Sequence, residues 1–453
     1  MEAYSLEFSR PSASLLDRGE ILRAPLLHTP RSPFYCSDGL ESFEDGGLLI
    51  REGKIAARGD YDSLLLSYPD VPTTDWRGGY ILPGLIDCHI HFPQLRVLGS
   101  LGEDLLTWLR DFALPEEARM ADRAYACNIA QSFLRALISH GTTTALVFGA
   151  HFAPATAALF EAADAAGLRI ISGMVLSDRL LRPELHQTIE QAYRDSSELI
   201  RRFHGRGRLL YAVTPRFALS ASEAMLEVCQ SLMREHVDLR LQTHINESPQ
   251  EIEEIARLFP WAPDYLAVYE RFQLTDRYAV MAHNVHATHS QLDRLAASGT
   301  AIAHCPSSNA ALGSGLFPLQ CHIQTRVKCA LGTDVGAGTG FGMLREGLQA
   351  YLLQRIAPDG IRLAPAHLLY LSTRAGAVAL HLDDVTGDFS VGKSADLVYL
   401  RPPKDSPLAA VLERADSLER VLAALFTLGD SSSVREVRIA GAAVYRATQV
   451  DDD

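Results

Sequence analysis

A chain of 453 residues with 47% apolar and 21% charged side chains can bury a sizeable core, as two or three domains or as one large α/β barrel with an attachment. Its formal charge of −13 argues against a nucleic-acid phosphate track or an anionic membrane face, which both want basic surface, but leaves a small neutral base open as substrate. Met1-Glu2-Ala3-Tyr4-Ser5 lacks a basic and apolar leader, no apolar run approaches the ~20 residues of a spanning helix, and the seven scattered cysteines contain no Cys-x-x-Cys. Free thiols in a reducing cytoplasm, and neither a nucleic-acid nor a membrane partner, are therefore expected.

Taken in order, residues 1–80 carry short strand candidates at Ile21 to Leu27, Gly47 to Arg51 and Lys54 to Arg58, with a hairpin turn at Glu52-Gly53. Strand-like runs then recur at 81–87, 143–149, 169–175, 208–214, 240–246, 278–283, 300–305 and 327–333. Helical periodicity fills the gaps, as in Glu116–Ser139, Ala155–Ala166, Glu184–Phe203 and Ala221–Glu235. Alternating strands and helices over residues 81–382 predict a (β/α)8 barrel of TIM type, an α/β fold. From 383 to 453 the β character of the start returns, in Asp396 to Leu400 and Val434 to Gly441, so both chain ends are expected to build one small β-sandwich domain. The terminal Asp451-Asp452-Asp453 reads as a frayed acidic tail.

Chemistry gathers where the barrel strands end. The run Tyr80 to Ile86 leads into Asp87-Cys88-His89-Ile90-His91, and residues two apart in a strand point the same way, so His89 and His91 can address one ion. Alone, such a pair is as easily a surface or packing feature. The fifth run closes with His244-Ile245-Asn246-Glu247, the sixth with His283, the seventh with His304-Cys305-Pro306 and the eighth with Asp334. Each has a bland alternative, a hydrogen-bonded core histidine or a helix N-cap aspartate. Reactive residues of such barrels sit on this C-terminal face, and so many strands ending in ligand-type residues by accident is far less plausible.

The segments Pro83–Gln94, Gly141 to Thr144, Thr243 to Glu247, Met281-Ala282-His283 and Leu331 to Asp334 resemble the metal-dependent amidohydrolase superfamily over nearly the whole chain. Gln94, Thr214-Pro215-Arg216-Phe217-Ala218-Leu219-Ser220 and Ala303 to Asn309 make it most similar to the guanine deaminase family within it. The resemblance implies one zinc per chain held by His89, His91, His244 and Asp334. Two-metal members bridge their ions with a strand-four lysine, whereas here that strand ends in Pro215-Arg216 and the barrel's only lysine is Lys328. Zinc would bring the pKa of its water toward ~7, Asp334 would take the water proton, Glu247 would protonate a ring nitrogen and then the leaving amine, and His283 would hold or polarise the attacking oxygen. Gln94, Arg216, Phe217 and His244 would contact the base. A buried Arg216, offering only donors, wants an acceptor such as a purine 6-oxo group, or else a neighbouring loop carboxylate.

The implied reaction is hydrolysis of guanine to xanthine and ammonia in purine catabolism, by a cytoplasmic enzyme expected from the resemblance to be a homodimer. Kept beside it are deamination of a related oxo-heterocycle such as 8-oxoguanine or a pterin, a chlorinated triazine as a weaker fit, and a non-catalytic binding relative. Two departures from the family pattern bear on specificity: Asn284 stands where glycine is usual, and Phe92-Pro93 is bulkier than the usual small pair. His286 and His289 are read as loop and helix-start residues rather than ligands.

Overall fold

The computed structural model describes residues 19–447; the leader reading at Met1–Ser5 and the tail Asp451–Asp453 lie outside them. Its strands run β1 (Glu20–His28), β2 (Glu41–Arg51), β3 (Lys54–Asp60), β4 (Thr73–Asp75), β5 (Tyr80–Pro83), β6 (Leu85–His91), β7 (Thr142–Phe148), β8 (Arg169–Gly173) and β9 (Val175–Leu176). They continue as β10 (Leu210–Pro215), β11 (Arg240–Ile245), β12 (Ala279–His283), β13 (Ala301–His304), β14 (Lys328–Leu331), β15 (Leu397–Leu400), β16 (Val434–Ile439) and β17 (Ala442–Arg446).

Eight strands, β6-β7-β8-β10-β11-β12-β13-β14, pair in parallel in that order, with β9 as a short extension beside β10. The first and last meet through Asp334 N–H donating to His89 O (2.8 Å) and His91 N–H donating to Val335 O (2.9 Å). The barrel expected from the alternating pattern is thus present. Every residue of β6, β7 and β8 is buried, as parallel strands must be when helices cover one face and packed side chains fill the other. The helical stretches form with local stop and start signals. Asp122 caps Arg123–Ser139, Thr188 and Gln191 make a capping box for Ile189–Phe203, and Ser222 caps Glu223–Glu235. The expected Glu116–Ser139 helix is divided, with Leu114–Ala118 separated from Arg123–Ser139 by a short 3-10 turn.

The run Tyr80 to Ile86, expected as one strand, is two. Gly84 breaks it, and a Cβ there would meet Thr143 Oγ1 at 2.1 Å, so only glycine lets the chain pass from one sheet into the other. β5 pairs with β1 and β15 in a mixed sheet of order β17-β16-β15-β5-β1-β2-β3, with β4 beside β1. Both chain ends therefore build one small β unit, as expected, in the form of a single mixed sheet. Its own core includes Leu22, Leu26, Leu48, Ile81, Phe389 and Leu397. Arg438 of β16, donating to both Glu20 and Glu436, ties the last part of the chain to the first.

Candidate metal centre and active site

At the C-terminal mouth of the barrel, His89 Nε2, His91 Nε2 and Asp334 Oδ1 form a triangle with sides of 3.1, 3.2 and 3.3 Å. An ion with tetrahedral bonds of ~2.0–2.1 Å keeps its ligand atoms about 3.3–3.4 Å apart, so the triangle has the size of one face of such a shell. His244 closes in from β11, its ring 4.8 Å from that of His89 and 5.3 Å from that of His91. Its Nδ1–H donates to Arg216 O at 2.6 Å, which leaves Nε2 as the lone-pair atom turned to the cluster. Protons or a cation must separate these electron-rich atoms. Burial opposes protons: it lowers the pKa of His89, takes His91 down to about 4 and pushes His244 well below the ordinary range. The donor set, imidazoles with one carboxylate, therefore fits a borderline divalent ion. Among the described residues, the groups able to hold a metal are His89-His91-Asp334 and His89-His244-His283, which share His89 and so define one place.

Asp334 in the cluster and Glu247 beside it have carboxyl pKa values pushed in opposite directions. Burial alone would raise Asp334, but the His89 and His91 imidazoles outweigh it and hold the carboxyl well below the usual range. Glu247 is driven the other way, first by burial and then by the neighbouring carboxylates of Glu251 and Asp334. One is thus prepared as a base and the other as an acid, an arrangement that acid–base chemistry at neutral pH needs. His283 stands between them, its Nε2 3.4 Å from Glu247 and 3.9 Å from Asp334, and its Nδ1–H donates to Asn309 Oδ1 at 2.9 Å. The backbone re-aims these residues toward the barrel axis by turning left-handed where strands end: φ is 50° at Asn246, 72° at His283, 51° at Asn284 and 49° at Asp334. That conformation accounts for Asn284 standing where glycine is usual, since asparagine is the side chain that tolerates it best.

A pocket of about 330 Å³, mouth included, opens onto the cluster and is lined by Gln94, Arg216, Phe217, His244, Glu247, His283 and Asp334, with Leu105, Trp108 and Leu109 on the outer side. All the sequence-predicted site residues except His89, which lies just beneath, meet on this wall. The buried Arg216 does not want for an acceptor, because its Nη1 donates to both oxygens of Glu117, at 2.7 and 2.9 Å. Glu117 also accepts from Gln94 Nε2 (2.7 Å), while Gly336 N–H donates to Gln94 Oε1 (3.1 Å). The expected neighbouring carboxylate is thus present, on the short helix Leu114–Ala118, and it engages one of the three guanidinium nitrogens.

Other residues fall outside the cluster. His304 stacks on Phe317 with centroids 4.2 Å apart, and burial lowers its pKa to about 3. His286 Nε2 bonds Ser314 O, and His289 is the first residue of an exposed helix start. Phe92 is buried against Phe133 rather than in the pocket, so its bulk leaves the base site untouched. Sequence reasoning missed Glu117, Glu251 and Asp87. Asp87 accepts from Thr333 Oγ1 (2.5 Å) and from the backbone N–H groups of His89 and Thr333 (both 3.1 Å), locking first strand to last. Its place two residues before His89 on the same strand was the available signal. Glu117 sits in an acidic pair near a helix start, where solvated carboxylates are ordinary, and gave none.

Fold and site together define a metal-dependent hydrolase. Residues 80–444 match the amidohydrolase family, and the chain belongs to it. The probable guanine deaminase of Deinococcus radiodurans is 55% identical over 432 residues, spanning 94% of this chain and 98% of that protein. The solved E. coli guanine deaminase superposes with a TM-score of 0.91 at 39% identity, over 95% of this chain and all of that one. The C. acetobutylicum guanine deaminase, solved with guanine bound in its active site, gives a TM-score of 0.87 at 25% identity over 94% of this chain and all of the other.

Proposed function

We infer that this chain is a guanine deaminase, hydrolysing guanine to xanthine and ammonia. The observation that carries the reading is the pocket itself, whose wall brings hydrogen-bond donors on Arg216 and Gln94 together with Asp334, held low in pKa, and Glu247, pushed up, beside a metal-sized cluster. The relatives that cover nearly the whole chain bear the same activity in their names.

One zinc per chain would be held by His89, His91, His244 and Asp334; when bound, it lowers the pKa of water and supplies positive charge near the scissile carbon. The single-ion reading is supported by β10, which ends in Pro215 and Arg216 and offers no lysine to bridge two ions. Asp334 accepts the proton of the attacking water. Glu247 delivers its proton to the ring nitrogen, relays the water proton taken up by Asp334 to the departing amine, and is reprotonated by the C2 hydroxyl as the carbonyl forms; His283, its tautomer set by Asn309, polarises the attacking oxygen. Phe217 lies against the ring and Gln94 reads the purine edge. Arg216 spends Nη1 on Glu117, so its remaining guanidinium nitrogens meet the 6-oxo group. The leaving 2-amino group then faces the cluster.

The reading extends to a cytoplasmic homodimer, supported by the family likeness and by cysteines that are all free. No helix among the described residues is long and apolar enough to cross a membrane. Ammonia release from guanine, 8-oxoguanine, a pterin and adenine tests the assignment. Guanine should be turned over fastest, and adenine, which turns a donor amine toward Arg216, should be very poor; a preferred pterin would overturn the choice of base.

A further inference from the structure

Glu117 is 2% exposed and lies behind Gln94 and Arg216, which stand 1% and 3% exposed. Four contacts converge on its carboxylate: Gln94 Nε2 at 2.7 Å, Arg216 Nη1 at 2.7 and 2.9 Å, and His151 Nδ1 at 3.3 Å. His151 is neutral, since burial takes its pKa down to about 4, and Arg216 holds the Glu117 carboxyl ionised against its burial. Two consequences follow. Gln94 cannot turn its amide over, because Nε2 is held by a carboxylate and Oε1 by Gly336 N–H; its remaining N–H direction is therefore set. The buried guanidinium is also charge-neutralised in place, in surroundings where an uncompensated charge acts strongly on anything beside it.

We propose that Glu117 is a positioning residue for base recognition: it aims the donors of Gln94 and Arg216 at a neutral oxopurine, and it cancels the arginine charge so that the more acidic product is not retained. The proposal rests on the reading of Gln94 and Arg216 as the base-contacting pair. Xanthine loses a ring proton more readily than guanine or hypoxanthine. A guanidinium without its carboxylate would hold that anion, and product release would suffer.

The test compares wild-type protein with Glu117→Gln in guanine turnover and in inhibition by hypoxanthine and xanthine, at a mildly alkaline pH where xanthine is ionised and hypoxanthine is not. A charge-assisted hydrogen bond removed from the orienting network should raise the KM for guanine about tenfold or more, with a much smaller change in kcat. Hypoxanthine should weaken in parallel while xanthine binds more tightly than to wild type. General damage to the pocket cannot produce opposite signs for two ligands that share the 6-oxo group. Glu117→Asp, which keeps the charge on a shorter arm, should raise the KM yet give none of the tightening of xanthine expected for Glu117→Gln. If Glu117→Gln does not fold, Arg216→Met carries the comparison: it leaves the carboxylate uncompensated, so xanthine should weaken more than hypoxanthine. Parallel losses for all ligands, or no change, would overturn the role of Glu117 while wild-type turnover of guanine stayed intact. Absence of ammonia from guanine with wild-type protein would instead sink the deaminase reading on which it rests.

Discussion

The metal cluster and the recognition wall lie side by side in one barrel mouth and are built on opposite principles. In the cluster, lone-pair atoms of His89, His91 and Asp334 crowd within 3.3 Å of each other, a repulsive arrangement that burial prevents protons from relieving. In the wall, Glu117 accepts from Gln94 Nε2 and Arg216 Nη1 and so holds both side chains in place. The first gathers acceptors that suit an ion, and the second has its donors aimed before any base arrives. A site that must bind a cation stores that need as unpaired acceptors, whereas a site that must discriminate between bases gains by fixing its donors in advance.

The largest effect that sharpens this contrast should come from removing a cluster ligand. His89→Ala or His244→Ala should lose both the bound zinc and all turnover, as read by metal analysis beside an ammonia assay. Two tightly bound equivalents in the wild-type protein would defeat the single-ion reading. Next is Glu247→Gln, which should keep its metal and still bind guanine while turnover falls by ~10²–10⁴-fold, the range of a lost general acid. Because the Glu247 pKa is raised, its acid form is present below that pKa and lost above it. Wild-type kcat should therefore decline as pH rises through it, and that limb should disappear in the variant. Near-normal turnover would mean another group moves the proton.

A smaller effect is expected in the wall. Arg216→Ala should lower kcat/KM for guanine by at least ~10-fold, and by less for 2-aminopurine, which lacks the oxo group. Equal losses for both would reduce Arg216 to a partner of Glu117. The smallest effect belongs to His289→Ala. That side chain is exposed at a helix start, and its removal should leave both zinc content and turnover at wild-type values.

Much of this was legible along the chain. Parallel strands buried on both faces must be written as apolar runs, and reactive residues must follow them at the mouth, so β6 to β14 and the ends at His244, Glu247, His283 and Asp334 could be read by position alone. The split of the Tyr80 run was hidden, because an apolar run does not say which sheet each half will join. Only the approach of Thr143 to Gly84, a contact across the fold, decided it. The same holds for Arg216. Its residue type and place at the end of β10 determined that it would be buried at the mouth and in need of an acceptor. Which carboxylate it found depended on Glu117, on a short helix 99 positions away whose local sequence looks like any solvated helix start. Strand ends carry their own address in the pattern; a pairing between a strand end and a distant helix exists only once the barrel has closed and brought them together.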